Sequence, residues 1–114
     1  MMDPFQAHCK MEVTLAVISG KWKADIVQML SDGSPRRYGF FQKNLPEVTP
    51  KILTNQLREL ENAGILTRVI YPEVPVRVEY QLTEAGLDLL PILEAMERWA
   101  LSYIEKIQQR GCEM

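Results

Sequence analysis

The chain has 114 residues, 46% hydrophobic and 25% charged, with a formal net charge of -2. That is the length of one domain able to bury its own core without disulfides or metal, and its composition excludes a disordered tail. The slight acidity argues against a protein that coats nucleic acid indiscriminately, and two cysteines near opposite ends, Cys9 and Cys112, exclude the disulfide framework of a small secreted domain.

Met11, Leu15 and Ile18 recur at helical spacing until Ser19 and Gly20, which predicts a first helix over 11–18. Trp22, Ile26, Met29 and Leu30 share one face of a second, which ends in the turn Ser31-Asp32-Gly33-Ser34-Pro35. After Arg36 and Arg37, the register of Tyr38, Phe41 and Leu45 predicts a short third helix closed by Pro46. Thr49-Pro50 is the clearest helix start, with a capping hydroxyl followed by a proline suited to the first position. The helix it opens runs to Ala63 and stops at Gly64. Leu53, Leu57 and Leu60 gather on one side of it, with Lys51, Asn55, Arg58 and Asn62 on the other.

The period then changes. Ile65 to Tyr71 is β-branched, Val76 to Leu82 alternates apolar with polar, and Pro72-Glu73-Val74-Pro75 joins them, so the segment reads as a hairpin. Thr83 caps a last apolar-striped segment through Leu87, Leu90, Leu93, Met96, Trp99, Ala100, Tyr103, Ile104 and Ile107, which Pro91 is expected to kink or divide. Trp22 and Trp99 lie on apolar stripes and read as packing residues. Adjacent Phe40 and Phe41 cannot both face one core, which leaves one for a pocket or a subunit contact.

The fold expected is mainly α with a small β-hairpin (α+β): a winged helix-turn-helix with a long C-terminal dimerisation helix. It forms one domain over 1–114, with N-terminal helices at 9–35, the helix-turn-helix at 36–64, the wing at 65–82 and the dimerisation helices at 83–110. In that architecture the helix after the turn enters the major groove and the hairpin reaches the backbone or minor groove. Thr54, Asn55 and Arg58 carry suitable donors and acceptors, since arginine pairs bidentately with guanine and asparagine with adenine. Lys51 suits a phosphate, and Arg36, Arg37 and Lys43 are further phosphate candidates. The charge divides accordingly: 36–77 has seven basic against four acidic residues, a net of +3, while 78–114 has three against seven, a net of -4. The cationic excess sits on the reading segment. Leu93, Met96, Ala100, Tyr103, Ile104 and Ile107 form a stripe longer than one small core needs, so they are the expected dimer interface.

Three runs, Gly20-Lys21-Trp22-Lys23, Leu53-Thr54-Asn55-Gln56-Leu57-Arg58-Glu59-Leu60-Glu61 with Gly64, and Tyr71-Pro72-Glu73-Val74-Pro75-Val76-Arg77-Val78-Glu79-Tyr80-Gln81-Leu82-Thr83, resemble the HxlR-type regulators, small dimeric transcription factors related to the MarR group. The resemblance spans about Cys9 to Trp99. It implies a homodimer on a pseudo-palindromic double-stranded DNA operator, with Thr54, Asn55 and Arg58 as major-groove contacts, Lys51 on phosphate or groove, and Arg77 as the wing contact. It also draws in Cys9, because some members sense oxidants or electrophiles through a cysteine before the first helix. Many of those have Cys-Pro where this chain has Cys9-Lys10. Lys10 would favour the thiolate only if its side chain turns toward the sulfur, so Cys9 reads either as a sensor thiol or as an inert one. The alternative trigger is a small apolar effector in a cavity lined by Trp22, Phe41 and Trp99.

The lone histidine, His8, reads as a terminal residue, and Cys112 as incidental. With no HExxH, GxSxG, Walker or GxGxxG motif, the chain is expected to be no enzyme and to need neither cofactor nor metal. Met1 to Lys10 shows no leader pattern, and no apolar run approaches the roughly 18 residues of a membrane span, so the expected location is cytoplasmic. The competing function for this fold is a winged-helix protein-protein interaction module without specific DNA binding.

Overall fold

A computed structural model describes residues 10–110. The elements run α1 (Lys10–Ile18), α2 (Lys23–Met29), β1 (Arg36–Arg37), α3 (Tyr38–Asn44), α4 (Pro50–Asn62), β2 (Leu66–Tyr71), β3 (Arg77–Leu82) and α5 (Glu84–Gln109). Both ends of α4 are closed by its own sequence. Thr49 Oγ1 accepts a hydrogen bond from Ile52 N at 3.2 Å, and Pro50 occupies the first turn, where a missing N–H costs nothing. At the other end Gly64 takes φ 79°, so that Ile65 N donates to Leu60 O and Gly64 N to Glu61 O. This left-handed closure favours glycine and brings apolar Ile65 back over Leu60, both of them buried.

The sheet has three strands rather than the two of the expected hairpin. β1 pairs antiparallel with β3 through Arg36 opposite Tyr80 and Arg37 opposite Glu79, which gives the order β1-β3-β2. Two residues without alternation carry no sequence signal for a strand, and their pairing exists only because α3 and β3 are brought together. Within the hairpin Leu66 faces Leu82 and Tyr71 faces Arg77. Thr83 fastens this sheet to two helices. Its hydroxyl donates to Gly64 O at 2.5 Å and accepts from Gly86 N at 3.1 Å, which caps α5 against the end of α4.

The core lies between α2, α3, α4 and the sheet, where Ile26, Leu30, Phe41, Leu53, Leu57 and Leu60 are fully buried. Trp22 and Phe40 pack against its margin. α5 is one continuous helix of 26 residues, neither divided nor interrupted at Pro91. The cap at Thr83 and the burial of Leu89 and Leu93 on either side of Pro91 hold the helix through the missing hydrogen bond.

Two expectations on α5 need correction. Leu93 is 3% exposed and belongs to the chain's own core, so it is not free for a partner. Trp99, read as a packing residue, is 67% exposed and stacks on Tyr103 with ring centroids 5.0 Å apart. Leu93 is the last buried residue of α5; beyond it the same stripe changes from covered to bare, with Glu97 still accepting from Gln28 Nε2 at 3.0 Å. Met96, Tyr103 and Ile104 are exposed beside Trp99, while Ala100 and Ile107 are half-buried. α1 adds exposed Met11 and Leu15, one turn apart. The apolar cavity expected among Trp22, Phe41 and Trp99 has no common environment, because Phe41 is fully buried and Trp99 is out on α5. Cys9, His8 and Cys112 lie outside the described residues.

Candidate nucleic-acid interface

The outer face of α4 presents Lys51, Thr54, Asn55, Arg58 and Asn62, all exposed, opposite the buried Leu53, Leu57 and Leu60. Lys51, Asn55 and Arg58 stand at i, i+4 and i+7, so they form one row along the helix. The two acidic residues of α4 are drawn off this row to its flanks. Glu59, on the α2 side, holds Lys23 Nζ at 2.6 Å, and Glu61, on the sheet side, meets Arg68 Nε at 3.6 Å. Lys51 and Arg58 have no ion-pair partner among the described residues, so their charges face outward uncompensated.

The amino end of α4 is held from α3. Tyr38 Oη donates to Pro50 O at 3.2 Å and lies 3.4 Å from Thr54 Oγ1. Either hydroxyl can donate across the contact between Tyr38 and Thr54. A polar recess between α4 and the sheet is lined by Thr54, Arg58, Glu61, Asn62, Arg68 and Tyr80. Burial raises the Tyr80 phenol above its ordinary range.

The other expected contacts divide. Arg37 and Lys43 are exposed beside α3, Arg37 before its first turn and Lys43 in its last. Arg36 is committed within the chain: its guanidinium meets Asp32 Oδ2 at 3.0 Å and lies over the Phe40 ring at 4.4 Å. The Asp32 carboxyl is held below its ordinary value, chiefly by the hydrogen bond from Ser34 N and then by Arg36. Arg77 is likewise engaged, to Glu79 at 2.9 Å and Glu73 at 3.0 Å, with its guanidinium over the Tyr71 ring. The Glu73 hydrogen bond raises its pKa further, so the wing arginine is a fully charged cation enclosed by two carboxylates.

Sequence reasoning singled out neither Lys23, Glu59, Arg68 nor Tyr38 for the site. Lys23 stands in the run Gly20-Lys21-Trp22-Lys23, but its partner lies 36 positions away. Tyr38 was read only for its apolar register.

A family model described as HxlR-like helix-turn-helix matches residues 17–108. The HTH-type transcriptional regulator YdeP of Bacillus subtilis is 42% identical over 107 residues, covering 94% of this chain and 82% of its own. Among solved structures, the redox regulator HypR in its reduced form superposes with a TM-score of 0.81 at 40% identity, covering 89% of this chain and 99% of that one. The oxidized form of HypR gives 0.75 at 45% identity, with 82% and 96% covered.

Proposed function

Since the chain belongs to the HxlR-like helix-turn-helix family of transcriptional regulators, we propose that it acts as a homodimer whose two α4 helices read the half-sites of a pseudo-palindromic operator. The observation that carries this is the outer row of α4: exposed lysine, asparagine and arginine on one face, with both glutamates of the helix withdrawn to its flanks. Exposed cations without partners in the chain are what contact with phosphate requires. Thr54, Asn55 and Arg58 meet base edges, and Lys51, Arg37 and Lys43 meet phosphate. Arg36 orders the turn before α3. Arg77 orders the wing, and reaches DNA only by giving up a carboxylate. The dimer closes over Met96, Trp99, Tyr103 and Ile104 of α5 and Met11 and Leu15 of α1, exposed apolar side chains that a lone domain leaves wet.

The test is fluorescence anisotropy with duplexes from upstream of the chain's own gene against scrambled duplexes, over a range of salt. Selective binding that weakens steeply with salt and falls markedly in Arg58→Ala supports the reading. Absence of binding to any such duplex at low salt would favour the interaction-module alternative. HypR is named a redox regulator, and on that likeness we place the oxidant response of this chain at Cys9. An unchanged response to oxidant in Cys9→Ser protein would remove Cys9 as the sensor.

A further inference from the structure

The Lys23 side chain is 5% exposed, and its Nζ lies 2.6 Å from Glu59 Oε1. A sheltered ammonium persists only where a carboxylate in good geometry offsets its lost water. Such a pair is a poor source of net stability, because apolar residues of similar volume often serve as well or better. Its distinctive effect is geometric. It joins the first turn of α2, which is anchored in the core by fully buried Ile26 and Val27, to α4 one turn beyond Asn55 and next to Arg58. The segment entering α2 is shaped around the same spot. Gly20 adopts φ 130°, and a Cβ there would stand 3.0 Å from Gln56 Oε1 and 3.4 Å from Lys23 Cδ. Side chains of α2 and α4 thus meet beneath a backbone turn whose positive φ at Gly20 favours glycine.

We propose that Lys23 is a positioning residue for DNA reading: through Glu59 it sets the rotation of α4 about its own axis, and so the direction in which Asn55 and Arg58 leave the helix. The opposite flank does not duplicate it, since the Arg68 to Glu61 contact is longer, at 3.6 Å, and open to solvent on both sides. The proposal rests on the assignment of α4 as the reading helix.

Anisotropy on the upstream duplex selected by the wild type and on a scrambled duplex of equal length, with melting temperatures in the same buffer, tests it in Lys23→Met, Lys23→Arg, the double variant Lys23→Met with Glu59→Leu, and Arg58→Ala. In the folded Lys23→Met protein, operator affinity is expected to fall about tenfold, the scale of one lost base contact, with scrambled-duplex affinity unchanged. Lys23→Arg should recover most of that loss. The double variant should keep the melting temperature without recovering discrimination, and it decides the matter if Lys23→Met alone unfolds. Wild-type discrimination in any folded variant without the pair, or equal losses in Lys23→Arg and Lys23→Met, would overturn the positioning role while Arg58→Ala still loses operator binding. If Arg58→Ala discriminates as the wild type does, the assignment of α4 falls and takes this role with it.

Discussion

Arg58 and Lys51 share one helix row but meet different parts of the duplex in the proposed complex, and their variants should differ in kind. Arg58→Ala is expected to cost about 1–3 kcal/mol on the operator and to relax preference at one base pair, as the loss of a bidentate arginine does. Lys51→Ala should weaken operator and scrambled duplex alike and lower the salt slope by about one. Anisotropy titrations at several salt concentrations read both, and identical behaviour of the two variants would refute the division of roles. Tyr38 gives a finer test. With its hydroxyl donating to Pro50 O at 3.2 Å and Thr54 Oγ1 3.4 Å away, we predict that Tyr38 accepts the Thr54 proton and leaves Thr54 to meet DNA as an acceptor. In Tyr38→Phe the threonine proton is released. Binding selections on randomised duplexes should then show one position at which a base donor is no longer demanded, with at most about 1 kcal/mol of stability lost, because the bonds are exposed and one partner is removed entirely. A position unchanged in Tyr38→Phe but altered in Thr54→Ala would show that Thr54 reads DNA without this relay.

Among the elements, α4 was legible almost to the residue, because its cap, proline, apolar face and terminal glycine all point to one helix and none depends on distant parts of the chain. β1 was not legible, since Arg36 and Arg37 are a strand only by virtue of what β3 lays beside them. The ion pair between Lys23 and Glu59 was hidden for the same reason: each residue taken alone reads as a solvated charge. The continuity of α5 through Pro91 is a contest between a local rule and packing, and packing prevails at some cost. Pro91→Ala restores the hydrogen bond to Leu87 O and removes the ring, so stability should rise by about 1–3 kcal/mol, within the penalty of an interior proline. Thermal melts at fixed protein concentration would show the gain, and an unchanged melting temperature would mean that the helix bears the ring without loss. The joint of α5 with the hairpin is the contrary case. A Cβ on Gly86 would lie 2.5 Å from Ile65 O and 3.0 Å from Leu82 Cδ2, so Gly86→Ala must push the start of α5 off the sheet. A loss of roughly 1–3 kcal/mol is expected for such overpacking, against the slight gain that alanine brings to an unobstructed helix position.

At the scale of the whole molecule the shape itself poses the question of a partner. The described fold belongs to a chain with a radius of gyration of 16.5 Å, where a compact domain of this length has about 13 Å. Among the described residues α5 is the longest element: its 26 residues extend about 39 Å, and its second half carries Trp99 and Tyr103 stacked in the open. The sequence showed the stripe but not where it passes from the chain's own core to exposed surface. Periodicity records which face is apolar and says nothing of whose atoms cover it. Charge agrees with the same division: the acidic excess of residues 78–114 lies on the segment that includes α5, and the cationic row lies on α4. A dimer through α5 would therefore set two cationic faces outward without bringing them against each other. One reading helix spans only part of a groove, so discrimination among genomic sites needs both half-sites, about 34 Å apart on one side of the duplex. Trp99→Glu, with Met96→Glu as a second variant, should then do two things at once. Sedimentation should show monomer at micromolar concentration, because a charge is placed where an apolar surface would be buried. Operator affinity should drop by roughly a thousandfold toward the non-specific level, while binding to scrambled duplex, which depends on contacts of Lys51, Arg37 and Lys43 with DNA phosphates, should fall far less. A wild type that already sediments as a monomer on operator DNA would end the dimer reading. A dimeric Trp99→Glu protein would move the interface to other residues of α1 and α5.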